Sequence, residues 1–148
     1  MTQLSDADQL ARRCAEQMWS DDKASKALGM VLESVSEGRA TLSMIVREDM
    51  VNGHDICHGG LIFSLADSSF AFACNSQNEV AVASGCNIDY LSPAYKGDRL
   101  TASAAMLHQG RRSGIYDVQV TNQDGRVVAQ FRGRSARIGG SLVEPEAR

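Results

Sequence analysis

The feature that most restricts the fold is the run Leu61–Cys74, LIFSLADSSFAFAC, 14 residues that are apolar nearly all round. Its single carboxylate is Asp67, and Gly59-Gly60 opens it. A helix without a clear polar face has to be wrapped on most sides by other structure. At this length it is too short to cross a bilayer. Four strand-like stretches follow in succession, Val80–Leu91, Arg99–His108, Ser113–Asn122 and Arg126–Arg137, separated by SPAYKGD, QGRR and NQDG. In the third, Tyr116, Val118 and Val120 alternate with Asp117, Gln119 and Thr121, the period of a pleated strand.

Upstream, Ser5 followed by Asp8 is a capping signal, and Leu10, Cys14 and Met18 recur at four-residue spacing. They predict an amphipathic helix to about Trp19 and a short second turn to Leu28, ended by Gly29. Met30–Glu37 and Arg39–Val46 read as two strands about Gly38, and 47–58 reads as a loop. The order is helix, two strands, buried helix, four strands. Sequential hairpins make such a sheet largely antiparallel. A sheet curled round one central helix, an α+β architecture, accommodates the apolar segment. Four strands after the helix leave little for a doubly wound nucleotide fold.

The 148 residues fit one domain, with 1–28 as an N-terminal helical region and 138–148 as a flexible tail. A net charge of −3 argues against a general nucleic-acid binder. Residues 1–95 carry 6 basic and 13 acidic side chains, whereas 96–137 carry 8 basic and 3 acidic. A local basic surface on an acidic protein suits a small polyanionic ligand. Arg111, Arg112, Arg132, Arg134 and Arg137 are its candidates, with solvated strand faces as the plainer explanation. Cys14, Cys57, Cys74 and Cys86 show no paired spacing, and MTQLSDADQL has no export signal. Free thiols in a cytoplasmic protein are the expectation, with Cys74 and Cys86 in the core.

Between Ile56 and Asn78 there is no Lys or Arg, so Asp67 meets few compensating charges. A desolvated carboxylate becomes more basic and can act as general base or nucleophile. Alternatively, Ser64, Ser68 or a partner chain ties it into a structural hub. The first N–H groups of a helix lack internal partners, and glycines let a ligand approach them, so Gly59 and Gly60 can stabilise an oxyanion. A flexible entry to the helix explains them equally simply. Asp67 stands eight residues after Gly59, about 12 Å along a helix. Reacting groups must approach within roughly 3–3.5 Å. If both act on one carbonyl, they come from different chains, which predicts a dimer with shared sites. His54, Cys57 and His58 lack a fourth ligand, so no metal is expected. His58 can instead fix the loop or bond a substrate, and Asn52 can aim its amide at a ligand or water.

The segment Asn52-Gly-His-Asp-Ile-Cys-His58-Gly59-Gly60, followed by Leu65-Ala66-Asp67, resembles the signature of the hotdog-fold thioesterases. The likeness extends through Asn87-Ile-Asp-Tyr-Leu-Ser-Pro93, His108-Gln-Gly110 and Phe131-Arg-Gly-Arg134, and is strongest to the bacterial phenylacetate-pathway branch. The resemblance implies the hotdog fold and hydrolysis of acyl-CoA thioesters, phenylacetyl-CoA and its ring-hydroxylated derivatives first among them, without a cofactor. It makes Asp67 the general base or nucleophile and the Gly59 N–H the group that polarises the carbonyl. His58 and Asn52 orient carbonyl or water, and Gly60 contacts the substrate. It also implies homodimers with shared sites that pair into homotetramers. Where some relatives carry a water-assisting serine this chain has Ala83, beside Ser84, so that role is not carried over. A hotdog hydratase or dehydratase and a non-enzymatic acyl-CoA-binding module are the competing functions.

Overall fold

The computed structural model describes residues 3–145. Helix α1 spans Asp6–Asp21, and the Ser5 hydroxyl accepts from the Asp8 N–H at 3.1 Å. Asp6 and Asp8 in its first turn oppose the positive end of the helix dipole. Its buried face is Ala11, Cys14 and Ala15; of the four-residue spacing only Cys14 is fully buried, while Leu10 and Met18 flank it half-buried. Helix α2, Lys23–Ala27, starts at a second cap, Asp22, and Gly29 follows it with φ +72°.

The strands are β1 Val31–Ser36, β2 Arg39–Ile45, β3 Ala81–Tyr90, β4 Arg99–Gln109, β5 Ser113–Thr121 and β6 Val127–Arg137. They form one sheet in the order β1-β2-β4-β5-β6-β3, and every neighbouring pair is antiparallel. Three pairs are sequential hairpins. The expectation of hairpins throughout fails at β3, which pairs with β6 at the far side of the sheet instead of with β4. SPAYKGD is therefore a crossover. It is held by an Ile56–Tyr95 bridge, by the Gly97 N–H donating to Val46 at 2.8 Å, and by the Val46 N–H donating to Asp98 at 2.9 Å. These bonds satisfy the end of β2 and bring the 47–58 loop against the exit of β3. Within that loop lie a 3-10 turn, Glu48–Met50, and a Val51–Cys57 bridge.

Helix α3, Gly59–Cys74, lies against the sheet and buries Ile62, Leu65, Ala66, Ser69, Phe70, Phe72 and Ala73. Phe70 sits 5.7 Å from the Tyr116 ring and 5.8 Å from the Phe131 ring. The buried Ser69 hydroxyl lies 2.9 Å from the Ala40 carbonyl and 3.0 Å from that of Ala102, tying the helix to β2 and β4. The wrapping is incomplete: Gly60 is exposed, and Phe63, Ser64, Asp67, Ser68 and Ala71 are only half-buried. Among the described residues no helix is long and apolar enough to cross a membrane.

The stretch after β6, expected to be a flexible tail, makes specific contacts. The Leu142 and Val143 N–H groups both donate to Asn78 Oδ1 at 2.9 Å, and Asn78 Nδ2 donates to the Val143 carbonyl at 2.9 Å. Arg13 donates to the Glu144 carbonyl at 2.7 Å. Residues 146–148 of that stretch lie outside the described residues.

Candidate active site

Three elements converge at the start of α3: the 50–58 loop, the helix itself and the end of β3. His58 is the N-cap, but its exposed side chain caps nothing. Its carbonyl accepts from Leu61 and Ile62 at 3.0 and 3.4 Å. The N–H groups of Gly59 and Gly60 therefore remain without a hydrogen bond among the described residues. They sit at the positive end of a 16-residue helix and can receive developing negative charge. Beside them opens a cleft of about 450 Å³, lined chiefly by Ile56, Cys57, Ile62, Tyr90, Leu91 and Pro93. Its walls are mostly apolar, as an acyl chain requires.

Tyr90 is the site residue that sequence reasoning missed. Its hydroxyl donates to the Gly59 carbonyl at 2.8 Å, and a Cβ at position 59 would stand 2.8 Å from its ring. Gly59 is thus glycine for a steric reason. Gly60, by contrast, has open space around it. The clue lay in the two-residue period of β3, which turns Cys86 and Ile88 onto the core and carries Tyr90 to the same side.

Asp67 stands half-buried farther along α3, with no hydrogen bond or ion pair among the described residues. Burial pushes its carboxyl above the ordinary carboxylate range. The serines offered as its partners are engaged elsewhere. Ser64 donates to the Gly60 carbonyl at 2.9 Å, and Ser68 shares a 2.9 Å hydrogen bond with Ser25. Burial, and then the nearby Asp67 charge, raise the thiols of Cys74, to about 12, and of Cys86. A raised thiol is held in its protonated, less nucleophilic form. Cys74 is buried as expected, whereas Cys86 is only half-buried.

The 52–58 loop is shaped by Asn52, whose Oδ1 accepts from the N–H groups of His54 and Ile56 at 2.9 and 3.1 Å. Only its exposed Nδ2 is left for a ligand. Among the described residues no group of three His, Cys, Asp or Glu side chains is placed to hold a metal. Burial pushes the Cys57 thiol up to about 11. Ser84, next to Ala83, forms a bulge in β3 and donates to the Arg134 carbonyl at 3.2 Å.

Two of the five candidate arginines are committed within the fold. Arg132 chelates Asp117 at 2.7 and 3.0 Å, and Arg137 pairs with Glu79 at 2.9 Å and Gln77 at 2.7 Å. Arg111 and Arg112 stand exposed in the β4–β5 turn. Arg134 is exposed over Gly85.

Comparison with known proteins places the chain in a family. The thioesterase superfamily model matches residues 54–129, which include the end of the loop from His54, all of α3 and the residues lining the cleft. The acyl-coenzyme A thioesterase PaaI of Escherichia coli is 52% identical over 129 residues, covering 87% of this chain and 92% of that protein. The structure of the E. coli PaaI protein from the phenylacetic acid degradation operon superposes with a TM-score of 0.90 at 50% identity, over 91% of this chain and 98% of that one. A hypothetical thioesterase of Streptococcus pneumoniae, solved with coenzyme A, gives a TM-score of 0.73 at 28% identity, over 76% of this chain and 90% of that one. The chain belongs to the thioesterase superfamily and is a thioester hydrolase with the hotdog fold.

Proposed function

We propose that the chain hydrolyses aryl-acetyl-CoA thioesters, phenylacetyl-CoA or its ring-hydroxylated derivatives, to the free acid and CoA in sites shared between two subunits. The observation that carries the reading is Asp67, a half-buried carboxylate with no partner among the described residues, on the helix that presents two unbonded amides. The activity named for the E. coli relative and the operon of its structure support the acyl group chosen.

The thioester carbonyl oxygen accepts from the Gly59 N–H, with Gly60 beside it and His58 and Asn52 Nδ2 at the rim. The partner subunit's Asp67 takes a proton from water as the hydroxyl oxygen adds to the carbonyl carbon. Collapse of the tetrahedral intermediate breaks the carbon–sulfur bond, and the proton held by Asp67 passes to the departing thiolate. In the nucleophilic alternative, the carboxylate displaces the thiolate to form a mixed anhydride that water then cleaves. In a single turnover in heavy-oxygen water, label in the Asp67 carboxyl identifies the second route with water attacking the aspartyl carbon of the anhydride.

Two features of the fold support a homodimer. Among the described residues the outer edge of β3 carries no neighbouring strand, and Phe63, Ser64, Asp67, Ser68 and Ala71 of α3 are only partly covered by their own chain. Two antiparallel copies also solve a problem of reach. Arg112 joins the end of β6 opposite Ala81, ten residues of strand from Tyr90, which is roughly 30 Å. Pairing across β3 brings one chain's Arg111–Arg112 turn toward its partner's cleft, where it meets the CoA phosphates. Pairing of such dimers into tetramers follows the family resemblance. The test is CoA release from a panel of aryl-acetyl, benzoyl and straight-chain acyl-CoAs by wild type and Asp67→Asn. Phenylacetyl-CoA is expected to turn over fastest. Retained turnover in the variant removes Asp67 from its role, and a preference for long aliphatic chains replaces the aryl assignment.

A further inference from the structure

We propose that Tyr90 is a positioning residue for the oxyanion donors, holding the Gly59–Gly60 peptide so that the Gly60 N–H serves as a second donor beside that of Gly59. The inference rests on the thioesterase reading of the site and adds to it a residue that positions the two donors.

The carbonyl of Gly59 and the N–H of Gly60 belong to one planar peptide group. Fixing the oxygen therefore fixes the direction of the hydrogen. The Tyr90 hydroxyl does this from outside the helix, at 2.8 Å, from the last residue of β3. Glycines on both sides of that peptide leave its backbone torsions unusually free, so an external restraint has more to act on here than elsewhere in α3. The hydrogen bond also polarises the peptide group it joins, which strengthens the N–H on its other side. Contact of the ring with Gly59 sets the depth of the helix start against the cleft wall. Burial, and then the neighbouring Cys57, push the Tyr90 phenol above its ordinary range, so the hydroxyl stays a donor throughout the neutral range. Tyr90 is half exposed and outside the buried core, so it contributes little to packing for its size.

The experiment uses the full chain and phenylacetyl-CoA, with kcat and KM measured separately. Tyr90→Phe keeps the ring and loses only the hydroxyl. It is expected to lower kcat about fivefold to tenfold, the worth of one net hydrogen bond, with KM within about twofold and Tm lowered by no more than a few degrees. A merely structural tyrosine would lower Tm and leave kcat alone. The second arm measures what Gly59→Ala costs in kcat in two backgrounds. In the wild type the added methyl meets the ring. In Tyr90→Ala the ring is gone, and the same substitution is expected to cost at least about tenfold less. Unchanged kcat in Tyr90→Phe, or equal losses from Gly59→Ala in both backgrounds, overturns the proposal. If Asp67→Asn abolishes turnover while Tyr90→Phe matches wild type, only the role of Tyr90 falls. If wild type releases no CoA from any thioester, the reading of the site falls and takes this inference with it.

Discussion

Gly59 and Asp67 are carried by the same helix eight residues apart, so the amide donors and the acid of one chain cannot both reach one thioester carbonyl. Along the axis the separation is about 12 Å, several times the reach of a reacting pair. No bending of a 16-residue helix packed along the sheet closes that distance. On the mechanism proposed above, the single chain would therefore hold two half-sites, and the reaction would need a second copy.

Subunit mixing tests this directly. Asp67→Asn and Gly59→Ala homodimers are each expected to be inactive. A hybrid has one site with both native residues and one site with neither. Equal mixing after reversible dissociation places half of the chains in hybrids, so activity should recover to about one quarter of wild type. If the two residues acted within one chain, no mixture would exceed the residual activity of its components.

Asp67→Asn should also separate activity from stability. Loss of a general acid–base group costs roughly 10²–10⁴-fold in rate. Burial raises the Asp67 carboxyl, so the folded chain holds its proton more tightly than the unfolded chain. The ionised group therefore disfavours folding, and that penalty grows as pH rises through the raised pKa. The variant is expected to melt higher than wild type at pH 7, with the difference vanishing as pH falls toward the ordinary carboxylate range. In the wild type, kcat/KM should rise with pH through a value above the usual 3.8. A lower melting temperature for the variant at pH 7 would show that the carboxylate is held by favourable contacts.

The fold was legible where pattern and covalent geometry act locally. Ser5, the Tyr116–Val118–Val120 alternation and the apolar run after Gly60 each determine an element within a few residues of themselves. The pairing of β3 with β6 was not legible, because nothing local to SPAYKGD distinguishes a crossover from a tight turn. What decides it is the bonding of Gly97 and Asp98 to Val46, about fifty residues earlier. The site divided in the same way. Asp67 and the glycine pair stand out by composition alone. The period of β3 puts Tyr90 on the core side of its strand, but its place beside Gly59 emerges only when the end of β3 is laid over the start of α3.

Gly133 offers a test of the core that leaves the site untouched. A Cβ there would lie 2.8 Å from the ring of Phe70, which also packs on Tyr116 and Phe131. Neither the ring nor the β6 backbone can yield without disturbing this aromatic cluster. Gly133→Ala is therefore expected to destabilise the fold by about 1–3 kcal/mol, read from chemical denaturation. An unchanged midpoint would mean that α3 shifts freely over the sheet.

Asn78 is the last residue whose role can be isolated. It adopts φ 64° and uses both side-chain polar atoms on Leu142 and Val143, so it joins the end of α3 to the segment beyond β6. Alanine there would confound two effects, lost bonds and a strained backbone. Glycine keeps the positive φ at little cost and removes only the bonds. Asn78→Gly should cost about 1–2 kcal/mol and speed proteolytic removal of the segment after Ile138, with turnover of phenylacetyl-CoA unchanged. Clipping at the wild-type rate would show that Arg13 and the Val80–Gly140 and Ile138–Val80 backbone bonds hold this segment without it.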